Sequence, residues 1–214
     1  MCLSDFFKKY KTDPTKLKIQ NKEFTFFLPK DISRFVDQGN LFNNFPLWAK
    51  IWEGAIVLAN HISELELSAP KSFLEIGAGV GVAGIIAASF GHNVTITDYN
   101  KDALNFACAN IHKNLGDNAG NVKVKFLDWK NPKIDKTYDY IIGSDIAYKE
   151  EDFEHILRLF ELALNEKGEI ILSESFRKNS LKFLQILSEK YKVRAAKKVL
   201  RSNKDETPVI LIKA

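Results

Sequence analysis

The chain has 214 residues, 45% of them hydrophobic, with 31 basic and 27 acidic side chains for a formal net charge of +4. That length suits one domain with a substantial core, and the charge excess is too mild by itself to imply a nucleic-acid partner. No apolar run reaches the ~20 residues that cross a membrane, the amino terminus lacks a signal-peptide apolar region, and Cys2 and Cys108 make no disulfide framework, so a cytoplasmic protein is expected.

Residues 1–22 carry Lys8, Lys9, Lys11, Lys16, Lys18 and Lys22 against few acids and read as a solvated, partly mobile lead segment, with a docking patch for an acidic partner as the alternative. Phe24 to Leu28 reads as a short strand stopped by Pro29. Residues 1–45 are thus a basic lead segment with one strand, and 46–214 the main domain. After Pro46, the apolar residues Trp48, Ile51, Trp52, Ala55, Leu58, Ala59, Ile62 and Leu65 recur at helical spacing. Beyond Pro70, strands are predicted near 72–76, 93–98, 122–127, 138–143 and 169–174, with helices near 81–90, 101–115 and 151–164. Asn100 reads as the cap of the second helix, with Leu104, Ala107, Cys108, Ile111 and Leu115 as its stripe and Gly116 as its stop. Cys108 is expected in the core. A last helix near 180–190 precedes two strand-like runs, Tyr191 to Val199 and Pro208 to Lys213.

Alternating strands and helices imply a Rossmann-like α/β fold, a doubly wound and mostly parallel sheet with helices on both faces. The polar loop between the last two strands, Arg201 to Thr207, is too short for a crossover. It predicts a hairpin that places one antiparallel strand in a sheet of seven.

The densest chemical signal is Phe73-Leu74-Glu75-Ile76-Gly77-Ala78-Gly79-Val80-Gly81, followed by Asp98 at the end of the next strand. Gly77, Gly79 and Gly81 let a turn pass close to a ligand. Asp98 stands where a carboxylate accepts both hydroxyls of a ribose. Gly79-x-Gly81-x-x-Gly84 also fits a dinucleotide fingerprint, with Asp98 19 residues beyond Gly79, but Ile76 ends the strand and that register begins two residues late. Glu75, an acid just inside the strand end, suits an ammonium group rather than a pyrophosphate. S-adenosyl-L-methionine carries ribose, ammonium and carboxylate and no phosphate. Nor do residues remain for a second dinucleotide half.

Ligands sit at the carboxyl ends of such strands. The third strand ends in Leu127-Asp128-Trp129, where Asp128 suits the adenine amine and Trp129 the ring; alternatively, Asp128 caps a turn and Trp129 closes the sheet edge. The fourth runs into Ser144-Asp145-Ile146-Ala147-Tyr148, where Asp145 and Tyr148 point into the pocket unless Asp145 caps the next helix. Ser144 is counted with the cofactor-binding positions. The prolines that hold a planar nitrogen are missing, as are a Pro-Cys nucleophile and the aromatic spacing of an RNA-binding sheet. His61, His92, His112 and His155 have no metal-ligand spacing and read as surface or helix positions.

Ile51-Trp52-Glu53-Gly54-Ala55-Ile56-Val57-Leu58-Ala59, the glycine turn from Glu75, Val94 to Asp98, Leu127-Asp128-Trp129 and Asp145-x-x-Tyr148 occur in order. Together they resemble the seven-stranded protein-lysine methyltransferases over about residues 45–175. The first 22 residues are not shared, and Pro46 to Lys50 is richer in aromatics than in many members. The resemblance implies that Trp52 closes over S-adenosyl-L-methionine, Asp98 holds its ribose, Asp128 and Trp129 its adenine, and Asp145 with Tyr148 the reacting nitrogen of a protein lysine. An RNA or small-molecule N-methyltransferase of the same fold, or a non-catalytic S-adenosylmethionine-binding module, remains the alternative. A lysine near pKa 10.4 must lose its proton to react, which at pH 7 costs about 4.6 kcal/mol. Asp145 would oppose that loss, and its expected benefit is to stabilise the positive charge that arrives on nitrogen.

Overall fold

The computed structural model describes residues 3–36, 45–66, 68–201 and 206–214. Helix α1 (Leu3–Lys9) leads into an antiparallel hairpin of β1 (Thr12–Ile19) and β2 (Lys22–Pro29). Helix α2 (Glu53–Ser63) follows, then β3 (Ser72–Glu75), α3 (Val82–Ser89), β4 (Asn93–Asp98), α4 (Lys101–Leu115), β5 (Val122–Phe126) and β6 (Tyr138–Ser144). The chain closes with α5 (Phe153–Ala163), β7 (Leu164–Ser175), α6 (Lys178–Lys190), β8 (Arg194–Arg201) and β9 (Glu206–Lys213).

Strands β3 to β9 form one seven-stranded sheet in the order β5-β4-β3-β6-β7-β9-β8. The first five pair in parallel, and β9 runs antiparallel to both β7 and β8. This is the expected doubly wound sheet with one antiparallel strand. The order reverses at β3, which has β4 on one side and β6 on the other, so a crevice opens at its carboxyl end.

The period-2 alternation of strand side chains divides the core. Phe73, Ile142, Ile171 and Leu211 face α2, α3 and α4, where Leu58, Ile85 and Phe106 are fully buried. Their neighbours Leu74, Ile141, Leu172 and Ile212 face α5 and α6, against Phe160 and Phe183.

Several expectations need correction. Residues 3–35 are not a solvated lead segment: Phe6, Tyr10, Ile19, Phe24 and Phe26 are buried in the same core as α2 to α4. The lysines of β1 alternate with Leu17 and Ile19, and Phe6 and Tyr10 stand one helical turn apart, so charge on the outer face masked a half-buried unit. Helix α2 begins at Glu53, leaving Trp48 in a separate 3-10 turn, Leu47–Ala49. Cys108 is exposed, because α4 turns Ala103, Phe106, Ala107 and Asn110 inward instead. His92 is neither on the surface nor in a helix. It is buried before β4, packs on Phe73, and its Nδ1 accepts from the Lys71 amide at 3.3 Å. Cys2 and most of the loop expected from Arg201 to Thr207 lie outside the described residues. Among the described residues, no helix is long and apolar enough to cross a membrane.

Phe6 is 1% exposed and meets Phe7, Tyr10 and Phe106 edge-on or tilted. Phe6→Ala should therefore lower unfolding stability by about 3–5 kcal/mol, read as a shifted urea midpoint. A change under ~0.5 kcal/mol, the usual size for a surface position, would restore the solvated reading of the segment.

Candidate functional site

The turn between β3 and α3 is left-handed at each alternate residue, with φ of +60° at Gly77, +55° at Gly79 and +84° at Gly81. Space is tight there as well. A Cβ on Gly77 would lie 3.1 Å from the Trp129 ring, and one on Gly79 would lie 3.2 Å from the Trp48 carbonyl oxygen. Gly84, inside α3, lies so close to β4 that a Cβ would sit 2.7 Å from Ile96, which explains the third glycine of the dinucleotide-like spacing as helix-to-strand packing.

Two buried acids stand beneath this turn. Glu75 is 3% exposed, and its Oε2 accepts from the Gly84 amide at 3.0 Å. Asp98 is also buried; Oδ2 accepts from the Gly79 amide at 2.8 Å and Oδ1 from the Asn100 amide at 2.7 Å. Asn100 in turn caps α4 by accepting from the Asp102 and Ala103 amides. Burial raises the Asp98 carboxyl above its ordinary value, and burial, with Asp98 adding to it, pushes Glu75 up to about 8. The Glu75 carboxyl therefore already occupies the positive start of α3, the position a dinucleotide's pyrophosphate would take. Together with Asp98 it offers acceptors for an ammonium group and ribose hydroxyls.

The other sequence-predicted positions gather at the same sheet end. Trp52 precedes α2; its Nε1 donates to the Leu47 carbonyl at 2.7 Å, and the Lys50 ammonium lies 4.5 Å from its ring. Asp128 is half-buried, and its Oδ1 accepts from the Lys130 amide at 2.9 Å, so one oxygen closes a turn as the alternative reading held. Trp129 packs against Gly77 beside Ile146. Ser144 is the last residue of β6 and pairs with Ser173.

Asp145 follows in a left-handed backbone, φ +51°, a conformation that costs a non-glycine residue roughly 1–3 kcal/mol and clusters at functional sites. Its Oδ1 accepts from the Ser175 amide at 3.0 Å, the Ser175 hydroxyl at 2.6 Å and Arg177 at 2.6 Å. Its bonds thus run to the end of β7 and not to the next helix. Oδ2 is buried with no hydrogen-bond partner among the described residues and faces Gly54, where a Cβ would come within 2.5 Å of it. Tyr148 is 36% exposed; the covered part of its ring raises its hydroxyl first, then the Asp152 and Asp98 carboxylates.

Sequence reasoning missed four members of this cluster. Glu174 is fully buried, its Oε1 accepts from the Ile146 and Ala147 amides at 2.9 and 3.0 Å, and burial with the Asp145 charge pushes it up to about 7. Ser175 and Arg177 hold Asp145, and Gly54 gives it room. The signal was present in Glu174-Ser175-Phe176-Arg177 at the carboxyl end of β7, where the strand-end rule applies as it does to β5 and β6. Among the described residues, no group of three or more His, Cys, Asp or Glu could hold a metal ion.

A family model described as lysine methyltransferase matches residues 45–190. The chain is 36% identical over 132 residues to protein N-lysine methyltransferase METTL21A of Xenopus tropicalis, covering 60% of this chain and 61% of that protein. It is 35% identical over 153 residues to the Danio rerio protein of the same name, covering 68% and 69%. To EEF1A lysine methyltransferase 3 of Xenopus tropicalis it is 28% identical over 171 residues, covering 76% and 73%. The chain thus spans just under two thirds of the first relative's length and somewhat more of the other two. A putative SAM-dependent methyltransferase from Streptococcus mutans superposes with a TM-score of 0.68 at 16% identity, over 95% of this chain and 56% of that one. A precorrin-6y C5,15-methyltransferase from Geobacter metallireducens does so at 0.56 and 21%, over 73% and 86%. At those identities the likeness is one of fold.

The raised Glu75 gives a pH signature. A carboxyl moved from its ordinary 4.5 to about 8 in the fold binds more protons folded than unfolded across that window. Its contribution to stability is full below 4.5 and is lost as pH rises through 8. Glu75→Gln keeps an acceptor for the Gly84 amide and cannot ionise. In the ligand-free protein its melting temperature should gain on the wild type steadily from pH 5 to 8. A constant difference over that range would mean that Glu75 is ionised throughout.

Proposed function

The chain belongs to the lysine methyltransferase family, and from that footing we propose that it moves the methyl group of S-adenosylmethionine to a side-chain nitrogen of a lysine on a protein. The observation that carries this reading is the carboxylate of Asp145, held by Ser175 and Arg177 three residues before Tyr148, at the sheet end that also bears the glycine turn. The relatives' names supply lysine and protein as the acceptor class.

The fit of the cofactor rests on the paired acids beneath the turn. Asp98 would hold the ribose, the glycines would admit the amino-acid end over Glu75, and Asp128 and Trp129 would bound the adenine. Trp52 would close the near side and Ser144 the far one. When bound, the cofactor supplies an electrophilic methyl group on a sulfonium. The chain's own residues position the acceptor amine, keep water away from it and stabilise charge. Tyr148 offers a hydroxyl to the amine and an aromatic face to the cation that it becomes. Asp145 stabilises the positive charge that appears on nitrogen, and it is pre-set for that task by three donors on Oδ1. Arg177, paired with Asp145 at 2.6 Å, offsets the attraction of that carboxylate for an ammonium, so the amine can arrive without its proton. The alternatives, RNA or a small molecule as acceptor or cofactor binding without transfer, predict different fates for the methyl group.

Two tests follow. In Asp98→Ala, loss of hydrogen bonds to a charged acceptor should weaken S-adenosylmethionine roughly ten- to hundred-fold; unchanged affinity by calorimetry in a folded variant would remove Asp98 from the ribose. Incubated with labelled S-adenosylmethionine and a cell extract, the wild type should place label on protease-sensitive, ribonuclease-resistant material that yields methyl-lysine on acid hydrolysis. Asp145→Asn should keep cofactor binding and lose most of that transfer. Label released by ribonuclease, or full transfer by Asp145→Asn, would reject the lysine mechanism.

A further inference from the structure

The amino-terminal helix and hairpin lie outside the stretch matched by the family model, yet their contacts converge on the glycine turn. Asn110 of α4 is fully buried. Its Oδ1 accepts from the Phe27 amide at 2.7 Å, its Nδ2 donates to the Phe27 carbonyl at 3.3 Å, and the same Nδ2 donates to the Val80 carbonyl at 3.1 Å. A carboxamide offers two donor hydrogens and an oxygen with two lone pairs, and here both donors and one lone pair are engaged between β2 and the turn. Asn114, one helical turn later, makes the same pair of bonds to Thr25, at 2.8 and 2.9 Å, but spends its other donor on the Asn110 carbonyl.

Other contacts from the same unit arrive nearby. Phe35 meets Trp48 and Trp48 meets Phe106, while the Trp48 carbonyl lies over Gly79. The Tyr10 hydroxyl bonds to Asp102 and accepts from Asn105, in the first turns of the helix that Asn100 caps. Each glycine of the turn loses more conformational freedom on ordering than any other residue would. Unless something fixes it beforehand, ligand binding must bear that cost.

We infer that Asn110 is a positioning residue for the cofactor, holding the Val80 carbonyl so that Gly79 and Gly81 keep their receiving shape, with the amino-terminal hairpin as its anchor. The inference rests on the S-adenosylmethionine reading. Asn110→Leu and Asn114→Leu remove matched hairpin bonds with a side chain of similar length, but only the first releases the turn. S-adenosylmethionine titrated calorimetrically should bind about ten-fold more weakly or worse to Asn110→Leu, and within about three-fold of wild type to Asn114→Leu, although both lower the melting temperature. Hydrogen exchange of the Gly81 amide, bonded to the Ala78 carbonyl in the ligand-free fold, should quicken in Asn110→Leu alone. Should Asn110→Leu not fold, Asn110→Ser surrenders the same bonds with a smaller polar group and is read the same way. Equal affinities and equal Gly81 exchange in the folded variants would overturn the inference. A wild type that binds no S-adenosylmethionine would instead overturn the cofactor reading beneath it.

Discussion

The carboxyl group of Glu75, enclosed at the start of α3, constrains almost everything around it. Gly81 leads into that helix with no side-chain cap of its own, so an acid from the preceding strand supplies the acceptor for Gly84. The acid reaches only because Gly84 has no side chain; a Cβ there would lie 2.4 Å from Oε2. One contact thus ties together the end of β3, the closeness of α3 to the sheet and the chemistry of the crevice. Burying a carboxyl is expensive unless it is hydrogen-bonded or neutralised. With Asp98 beside it, the cheapest way to ionise Glu75 is a cation arriving from outside.

The opposite wall of the crevice has a comparable arrangement on different elements. Ser173 donates to the Gly54 carbonyl at 2.8 Å, which seats the first turn of α2 against β7, and Glu174 receives the amides of Ile146 and Ala147 just beyond β6. Asp145 is thereby enclosed by α2, β6 and β7 together. Its strained backbone is tolerable because every neighbouring group specifies it.

The parallel sheet, its carboxyl-end crevice and the antiparallel last strand were legible from hydrophobic period and loop length. Asn100 was recognisable as a cap from its place before an apolar stripe. The glycine turn and Asp98 could be placed because strand, turn and strand end are local features. What escaped notice depends on tertiary partners. Glu174, Ser175 and Arg177 act on Asp145 some 30 residues away in sequence, and nothing local marks that pairing. Asn110 looks like an indifferent polar position in a helix until β2 is laid beside it. The amino-terminal unit was misjudged because its lysines dominate the composition while Phe6, Tyr10 and Ile19 do the packing. Cys108 failed for the converse reason: an apolar side chain at roughly helical spacing fell just off the buried face.

Asn110 and Asn114 of α4 have one more effect, on association. In the β1–β2 register Pro14 faces Phe27 and Lys16 faces Thr25, and the polar backbone groups of Thr25 and Phe27 turn away from β1. A two-stranded ribbon normally offers such outward groups as a template for another chain. Here Asn110 and Asn114 satisfy them, so the helix serves as the missing third strand. The opposite border of the ribbon is blunted by Pro14, which has no amide hydrogen to offer. Both borders of this small, lysine-rich ribbon are thus poor templates for strand addition.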